Sequence, residues 1–588
     1  MGNKKRVGTK KLCYKKKTVV RSKKTVVTSG NEEDRPRTPK VVSTSNEKLS
    51  PNLACYDNST DTLQYDIVNI VQLESVLKDV AVCRVCHGNL SFSRKPLAGL
   101  AVQISVSCSC GMTKAFDNCP KATDIRPRPI EAPSKSSQCY YDLNLRLVYG
   151  LRVIGKGYTA AQTLCGMMNL PAPPSKFNQH EQFLSSHVES VCENSMKRAV
   201  TEAVIENGNS NDLCVAVDGS WQKRGHTSLN GVVTITSADT GKVIDIYSMS
   251  KYCNCPQRTS NQHLEICKAN YVGSSGGMEA EGATAMFKRS ETKYGVRYVE
   301  YLGDGDSNGY AAVVAEAPYG PDVSIQKLEC VGHVQKRMGT RIRDFIMKNK
   351  GLKLSDGKSL SGKGRLTGKA IQQIQIYYGL AIRRNTHSVE AMRRAVWALY
   401  CHVQSTNDTP LHILCPDTED TWCKYNKAAK EKTKYDHSQH FHLSPVLMKA
   451  IKPIFKSLCS LELLRKCLKG KSQNPNESMN NVIWARLPKR TFVTLGALRL
   501  GVYEAVLSFN DGYSSKVKVL EHIGLEPGLN MRLALKRLDT QRIRKADKAA
   551  TDIEKKIRQS RTLAKRKLED LYQEAEDPNN PSYSAGHH

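Results

Sequence analysis

Hydrophobic and polar positions along this 588-residue chain change period several times, and each change marks a change of element. Leu145, Val148, Leu151 and Ile154, then Ala161, Leu164 and Met168, recur at three- and four-residue spacing. The spacing predicts short helices over 140–206, broken at Leu170-Pro171-Ala172-Pro173-Pro174, where the prolines remove backbone donors. Leu213 to Val217 is then an apolar run ending in Asp218, and Leu229 to Ser237 and Lys242 to Ser250 are β-rich runs joined by the turn sequence Ala238-Asp239-Thr240-Gly241. These three runs predict a meander. Gly276-Gly277 opens a helical segment from Met278 to about Tyr294, and Arg297 to Leu302 reads as a strand ending in Gly303-Asp304-Gly305-Asp306. A helix over Ser307 to Ala315, a short strand near Ile325 to Glu329 and a helix from His333 complete the order βββαβαβα.

Beyond residue 335 the chain is Lys-rich and mainly helical to about residue 470, including Ser388 to Tyr400 and Pro445 to Lys469. Asn474-Pro475-Asn476-Glu477 reads as a capped helix start running towards Trp484. Residues 531–573 contain no Pro or Gly and are highly charged, which predicts a long solvated basic helix. The divisions expected are a disordered basic arm (1–50), a small module (61–125), a helical region (140–206) suited to DNA binding or plain bundle packing, a core in two parts (210–335 and 471–510) separated by a helical insertion (336–470), a basic helical tail (531–573) and a disordered end (574–588).

Charge narrows the partners. Lys and Arg outnumber Asp and Glu by 88 to 56, a formal charge of +32, which favours a long polyanion over any acidic small molecule. The first 27 residues hold eleven Lys or Arg and no acid, a composition suited to nuclear import and loose DNA contact. Neither a secretion signal nor a myristoylation signal is read from the N-terminus, where Arg6 replaces the needed Ser or Thr, and no apolar run is long enough for a membrane span.

Twenty cysteines in such a chain point to metal ligands and buried thiols. Cys83-x-x-Cys86 and Cys108-x-Cys110 flank a hairpin and suit a zinc ribbon, with His87 or Cys119 as substitute ligands. Cys253, Cys255, His263 and Cys267 form a compact second set. His412, Cys415 and Cys423 form a third without a clear fourth ligand; His437, His440 and His442 lie nearby. Gly364 to Lys369 is not a phosphate-binding loop, since Lys363 and Ala370 occupy positions that need Gly and Ser or Thr.

The order of elements places one acid at the end of the first strand, Asp218, one at the end of the fourth, Asp304, and one on a late helix, Glu477. This is the plan of an RNase H-like α/β core with a mixed five-stranded sheet. Three clustered carboxylates need hard divalent ions, Mg²⁺ or Mn²⁺, which would also grip a scissile phosphate. Asp306 competes with Asp304, and Glu279 and Glu281 compete with Glu477 but are expected on a helix facing away. Lys336, Arg337, Arg341, Arg343, Arg383, Arg384, Arg393, Arg394, Lys489 and Arg490 supply a basic surface for a DNA backbone, and Trp221 and Trp484 are expected to pack in the core.

Asp218-Gly219-Ser220-Trp221, Gly303-Asp304-Gly305-Asp306-Ser307, Cys330-x-x-His333 and Asn476-Glu477-Ser478 before Trp484 resemble, in that order, the Mutator-like transposases, in particular the animal branch, over roughly residues 60–500. The resemblance implies a DDE transposase acting on double-stranded DNA at terminal inverted repeats, with strand transfer, a homo-oligomer and a nuclear location. It implies also that Cys330 and His333 organise the site or bind DNA, and that 336–470 is the all-helical insertion of this group. Two alternatives remain: a non-catalytic nuclear DNA-binding zinc protein derived from such an enzyme, and a nuclease that cuts without joining.

Overall fold

The computed structural model describes residues 42–56, 64–122, 140–223, 227–253, 255, 269–304, 308–489 and 492–575. A small antiparallel sheet comes first, β1 (Leu90–Ala98), β2 (Ala101–Cys108) and β3 (Thr113–Asp117), paired in the order β1-β2-β3. The main sheet holds β4 (Asp212–Trp221), β5 (Asn230–Ser237), β6 (Val243–Ser250), β7 (Arg297–Gly303) and β8 (Gln326–Glu329). Its spatial order is β6-β5-β4-β7-β8, antiparallel from β6 to β4 and parallel from β4 to β8. The expected meander is therefore present, followed by two crossovers through helices Met278–Tyr294 and Asn308–Glu316.

Helices cover both faces of this sheet, which explains why its central strands are apolar runs and not clean alternations. On one face Leu213, Val215, Val217, Val233 and Ile235 pack against Met278, Met286 and Phe287 of helix Met278–Tyr294. Gly282 is required there, since a Cβ would stand 2.6 Å from Val233 Cγ2. On the other face Val232, Val243 and Ile246 join a core built from helices Asp142–Val153, Phe177–Glu206, Asn474–Arg486, Leu495–Asn510 and Ser515–Ile523.

The region 140–206 holds two short helices, Asp142–Val153 and Tyr158–Met167, and then a long one of 30 residues, Phe177–Glu206, starting after the proline break. Its buried residues Leu184, Val188, Val191, Cys192 and Met196 lie in the sheet-covering core.

Between β8 and helix Asn474–Arg486 the described residues are mainly helical. Helices Val331–Lys348, Gly368–Arg383, Val389–Gln404 and Pro445–Leu458 bury a separate core around Met338, Ile374, Tyr378, Val396 and Phe455. The charged tail breaks into Leu529–Ala550 and Asp552–Ala575 around Thr551, which leaves helical geometry with ψ 149°.

One expectation is corrected at the N-terminal arm, assigned as disordered through residue 50. Thr44–Leu49 is a helix capped by the Ser43 hydroxyl and continued by a 3₁₀ turn to Tyr56. The backbone N–H of Ser43 donates to Asp547 at 3.0 Å and Tyr56 Oη donates to buried Asp539 at 2.8 Å, while Leu49 and Tyr56 are buried. Polar composition concealed this segment because its partners lie some 500 residues away. No helix among the described residues is long and apolar enough to cross a membrane.

Candidate active site

Asp218 lies within β4 and not at its end, since Gly219, Ser220 and Trp221 continue the ladder with β5. Pairing with β7 has already stopped at Ala216 opposite Leu302, so Asp218 reaches past that edge beside Asp304, which directly follows β7. Helix Asn474–Arg486 is docked on the same edge through amides. Gln473 Nε2 donates to the Val217 carbonyl at 2.8 Å, and Asn476 Nδ2 to those of Ala216 and Thr234 at 3.1 and 3.2 Å. Asn480 Nδ2 donates to Asp218 Oδ2 at 2.7 Å. These residues, three and four apart, lie on one helix face and set its rotation.

The rotation turns Glu477, which stays exposed, towards His333. Its Oε1 is 3.2 Å from His333 Nε2, and Nδ1 of the same ring is 3.5 Å from Asp304. Asp218, Asp304 and Glu477 are thus gathered at one end of the sheet, linked by His333 and Asn480. Lys336 Nζ lies 3.3 Å from Glu477, and the Arg337 guanidinium lies 2.7 Å from Glu329 and 3.9 Å from Asp304. Lys336, Arg337, Arg341 and Arg343 all belong to helix Val331–Lys348, where Arg341 donates to Ser457 Oγ at 2.7 Å.

Glu279 overturns an expectation. It was placed on a helix face turned away from the acids, but it stands in the first turn of helix Met278–Tyr294, whose start leans over β4. Gly219 permits this approach, because a Cβ there would be 3.0 Å from Glu279 Oε2. Burial and then the charge of Asp304 raise the Glu279 pKa. Asp218 is pushed up to about 7, first by burial and then by Glu279, with Glu477 adding and Asn480 and His333 opposing. Neither Asp218 nor Glu279 makes an ion pair among the described residues. Glu281 acts instead on Tyr271.

Cys330 caps helix Val331–Lys348, and its sulfur accepts from the Gln473 backbone N–H at 3.3 Å. Burial alone would raise its pKa; hydrogen bonds from the His333 side chain and from the Gln473 and His333 backbones bring it below the ordinary thiol value. His333 rises to about 9, first through its bond to Cys330 and then, against burial, through the charges of Cys330 and Asp304. The pair therefore places a cationic imidazole between two of the acids. Trp484 Nε1 donates to Ser220 Oγ at 2.6 Å with Lys489 over its ring at 5.1 Å, and Trp221 Nε1 donates to the Ser275 carbonyl at 2.7 Å. Asp306 and Arg490 lie outside the described residues.

At the small sheet, Cys83, Cys86, Cys108 and Cys110 meet, with Sγ–Sγ distances of 3.6 Å (Cys83–Cys110) and 3.4 Å (Cys86–Cys108). Tetrahedral thiolates about 2.3 Å from zinc would stand about 3.8 Å apart, so the set can hold a metal such as zinc. Backbone hydrogen bonds at Cys86 and Val85 lower the Cys83 pKa, and those at Cys110, followed by the Cys86 thiol, lower Cys108 to about 6. Neither His87 nor Cys119 belongs to this set of four. Cys253 and Cys255 are half-buried neighbours, the Cys255 N–H donating to Cys253 Sγ at 3.4 Å; His263 and Cys267 lie outside the described residues. His412, Cys415 and Cys423 come together with His402, which spacing did not single out.

Acids drawn from four elements to one edge of a mixed sheet, beside a helix carrying Lys336, Arg337, Arg341 and Arg343, define a class of protein that handles polyanions. The chain belongs to the Mutator-like transposase family, whose model matches residues 64–423, more than half its length. It is therefore transposase-related and of a nucleic-acid-processing kind, with DNA as the implied partner. The match encloses Asp218, Glu279, Asp304, Cys330 and His333 and ends before Glu477. No curated protein matches the chain.

Proposed function

We propose that this protein is a DDE transposase with an RNase H-like core interrupted by the helical insertion 336–470, and that it cuts and joins DNA at the terminal inverted repeats of its element in the nucleus. The observation that carries this reading is the convergence of Asp218, Asp304 and Glu477 from two parallel strands and a helix remote in sequence, on the sheet order β6-β5-β4-β7-β8.

The donor chemistry fits hard divalent ions such as Mg²⁺. All the acids offer oxygen, Asp218 and Glu279 lie side by side with no ion pair to either among the described residues and only the more distant charge of His333 opposing, and the buried Asn480 Oδ1 has no hydrogen-bond partner. Asp218, Asp304 and Glu477 would hold the ions, which would activate a water or a DNA 3′-OH as nucleophile and stabilise the leaving oxygen. The protein's own residues prepare that arrangement. Asn480 fixes one oxygen of Asp218, leaving the other free to bind, and His333 holds Asp304 and Glu477 apart while adding positive charge beside the phosphate. Lys336 and Arg337 can exchange their carboxylate contacts for phosphate oxygens. Cys83, Cys86, Cys108 and Cys110 would hold a structural zinc in a module that positions DNA.

Incubating the full chain and Mg²⁺ or Mn²⁺ with labelled DNA carrying the inverted repeats that flank its gene tests this. Strand cleavage and joining that disappear in Asp304→Asn support the proposal. Binding without cleavage would point to the derived, non-catalytic DNA-binding form, and cleavage without joining to a nuclease.

A further inference from the structure

The helical region beyond β8 contains a second polar cluster, remote in role from the acids, that the transposition reading leaves unused. His402 lies in the last turn of helix Val389–Gln404, His412 and Cys415 in the loop that follows, and Cys423 at the start of helix Lys424–Lys430. Cys415, Cys423 and His412 are buried and His402 is half-buried. The two Nδ1 atoms are 3.1 Å apart. Cys415 Sγ lies 3.7 and 3.8 Å from the Nδ1 atoms of His402 and His412, and Cys423 Sγ lies 3.7 and 3.5 Å from the same two atoms.

These separations are those of a tetrahedron around one ion. With zinc about 2.3 Å from sulfur and about 2.0 Å from nitrogen, ligand atoms stand about 3.5 Å apart across S and N and about 3.3 Å apart across N and N. Ordinary packing gives no reason for two sulfurs and two same-type ring nitrogens to be nearly equidistant in a buried pocket. We propose that His402, His412, Cys415 and Cys423 form a closed structural zinc site in the helical region.

A second, independent feature supports it. His412 Nε2 lies 3.0 Å from His437 Nε2, and His437 Nδ1 lies 2.8 Å from Asn407 Oδ1. The chain of bonds is consistent in one way: Asn407 Oδ1 can only accept, so His437 carries its proton on Nδ1 and accepts at Nε2, and His412 carries its proton on Nε2. That tautomer leaves the His412 Nδ1 lone pair facing the two sulfurs. Asn407 Nδ2 donates in turn to Asp436 at 3.0 Å, anchoring the relay. Such outer partners orient metal-bound imidazoles and raise their basicity. Tyr425 stacks on the His412 ring at 4.1 Å and holds its plane.

The site also answers a packing problem. Residues 405–423 form no helix or strand, and the apolar cluster beneath them is small: Ala398, Cys415 and Cys423, with Leu414 and Tyr425 against it. So little buried surface does not offset the entropy of ordering such a segment, whereas one ion linking the helix to three points of the loop does. The loop it holds supplies Pro416, Thr418, Asp420 and Trp422 to one wall of a cleft of about 560 Å³, whose other wall includes Tyr377 and Arg384.

The test uses the full chain carrying Cys83→Ser, Cys86→Ser, Cys253→Ser and Cys255→Ser, which removes the other thiol sets. One zinc per chain by elemental analysis, with X-ray absorption showing two sulfur and two imidazole neighbours and loss of that zinc on adding Cys423→Ser, is the expected result. A fourfold variant that keeps the parent's helical circular dichroism but holds no zinc, or zinc without imidazole scattering, overturns the proposal. Should that variant not fold, the wild-type background decides: Cys423→Ser and His412→Ala each carry one zinc fewer than wild type, and an unchanged content refutes the site. Asn407→Ala retains the zinc but weakens its binding tenfold or more in a chelator competition, an effect a merely packed loop would not give.

Discussion

The thiols of Cys83, Cys86, Cys108 and Cys110 come from two loops of one small meander, whereas the carboxylates of Asp218, Glu279, Asp304 and Glu477 come from elements spread over much of the chain. The small sheet buries little besides Cys83, Ala101, Cys108 and Cys119, and most side chains of β1 and β3 are exposed. It has little apolar surface with which to order itself, so a metal held by its thiols would contribute much of its stability. The acid edge is the reverse: two cores clamp the sheet, and the scaffold is stable enough to hold like charges together at a cost. On the proposed reading a bound ion would complete the fold of one region, whereas in the other the fold prepares the site beforehand.

The sharpest way to break that contrast is to remove the metals. Chelation of zinc-loaded protein, or Cys86→Ser, is expected to abolish amide exchange protection over 83–117, a loss on the order of 10 kcal/mol of zinc-linked folding energy. Protection of β4, β5 and β7 should be unchanged, and a meander still protected without zinc would remove the distinction. Next in size, Asp304→Asn should lower cleavage of repeat-end DNA at least 10³-fold, about 4 kcal/mol of barrier, with the melting curve retained. Collapse of the fold in this variant would mean that the acid edge, too, is structural.

Glu279→Gln should reduce cleavage by about 10- to 100-fold and leave DNA affinity intact, as its carboxylate tunes Asp218 without being one of the three assigned ligands. Equal rates in variant and wild type would confine Glu279 to packing against Gly219. The smallest effect is in metal-free protein. Asp218 is raised to about 7 in the fold from an unfolded value near 4, so its ionisation costs nothing below about pH 4, increasingly more up to pH 7, and a constant amount above. Asp218→Asn should accordingly stabilise the metal-free chain at pH 8 by at most a few kcal/mol, with the gain fading towards pH 4. Melting curves with chelator at the two pH values check the sign, and a destabilised variant at pH 8 would contradict the repulsion.

The meeting of the four thiols was legible because they are close in sequence, so Cys83-x-x-Cys86 and Cys108-x-Cys110 state their geometry almost directly. The strands of the main sheet were legible for a similar reason: two-residue and three-to-four-residue periods are local signals. Glu279 was misread because an expected helix has no fixed rotation until Gly219 and Gly282 let it approach the sheet. His402 was missed because it is one residue on a helix whose partners follow after a loop without regular structure. The face Gln473, Asn476 and Asn480 did carry a signal, polar residues three and four apart in a helix, and all three bond to β4.

Residue order alone determines the succession of strands and helices, the basic character of the chain and the short-range cysteine pairs, because each depends on neighbours within a few positions. Only the packed molecule decides which acids face one another, which imidazole separates them and that His402 joins His412, Cys415 and Cys423, because these rest on helix rotation and on contacts beyond the reach of a local pattern. Burial and like charge acquire their effect on Asp218 only once that packing exists.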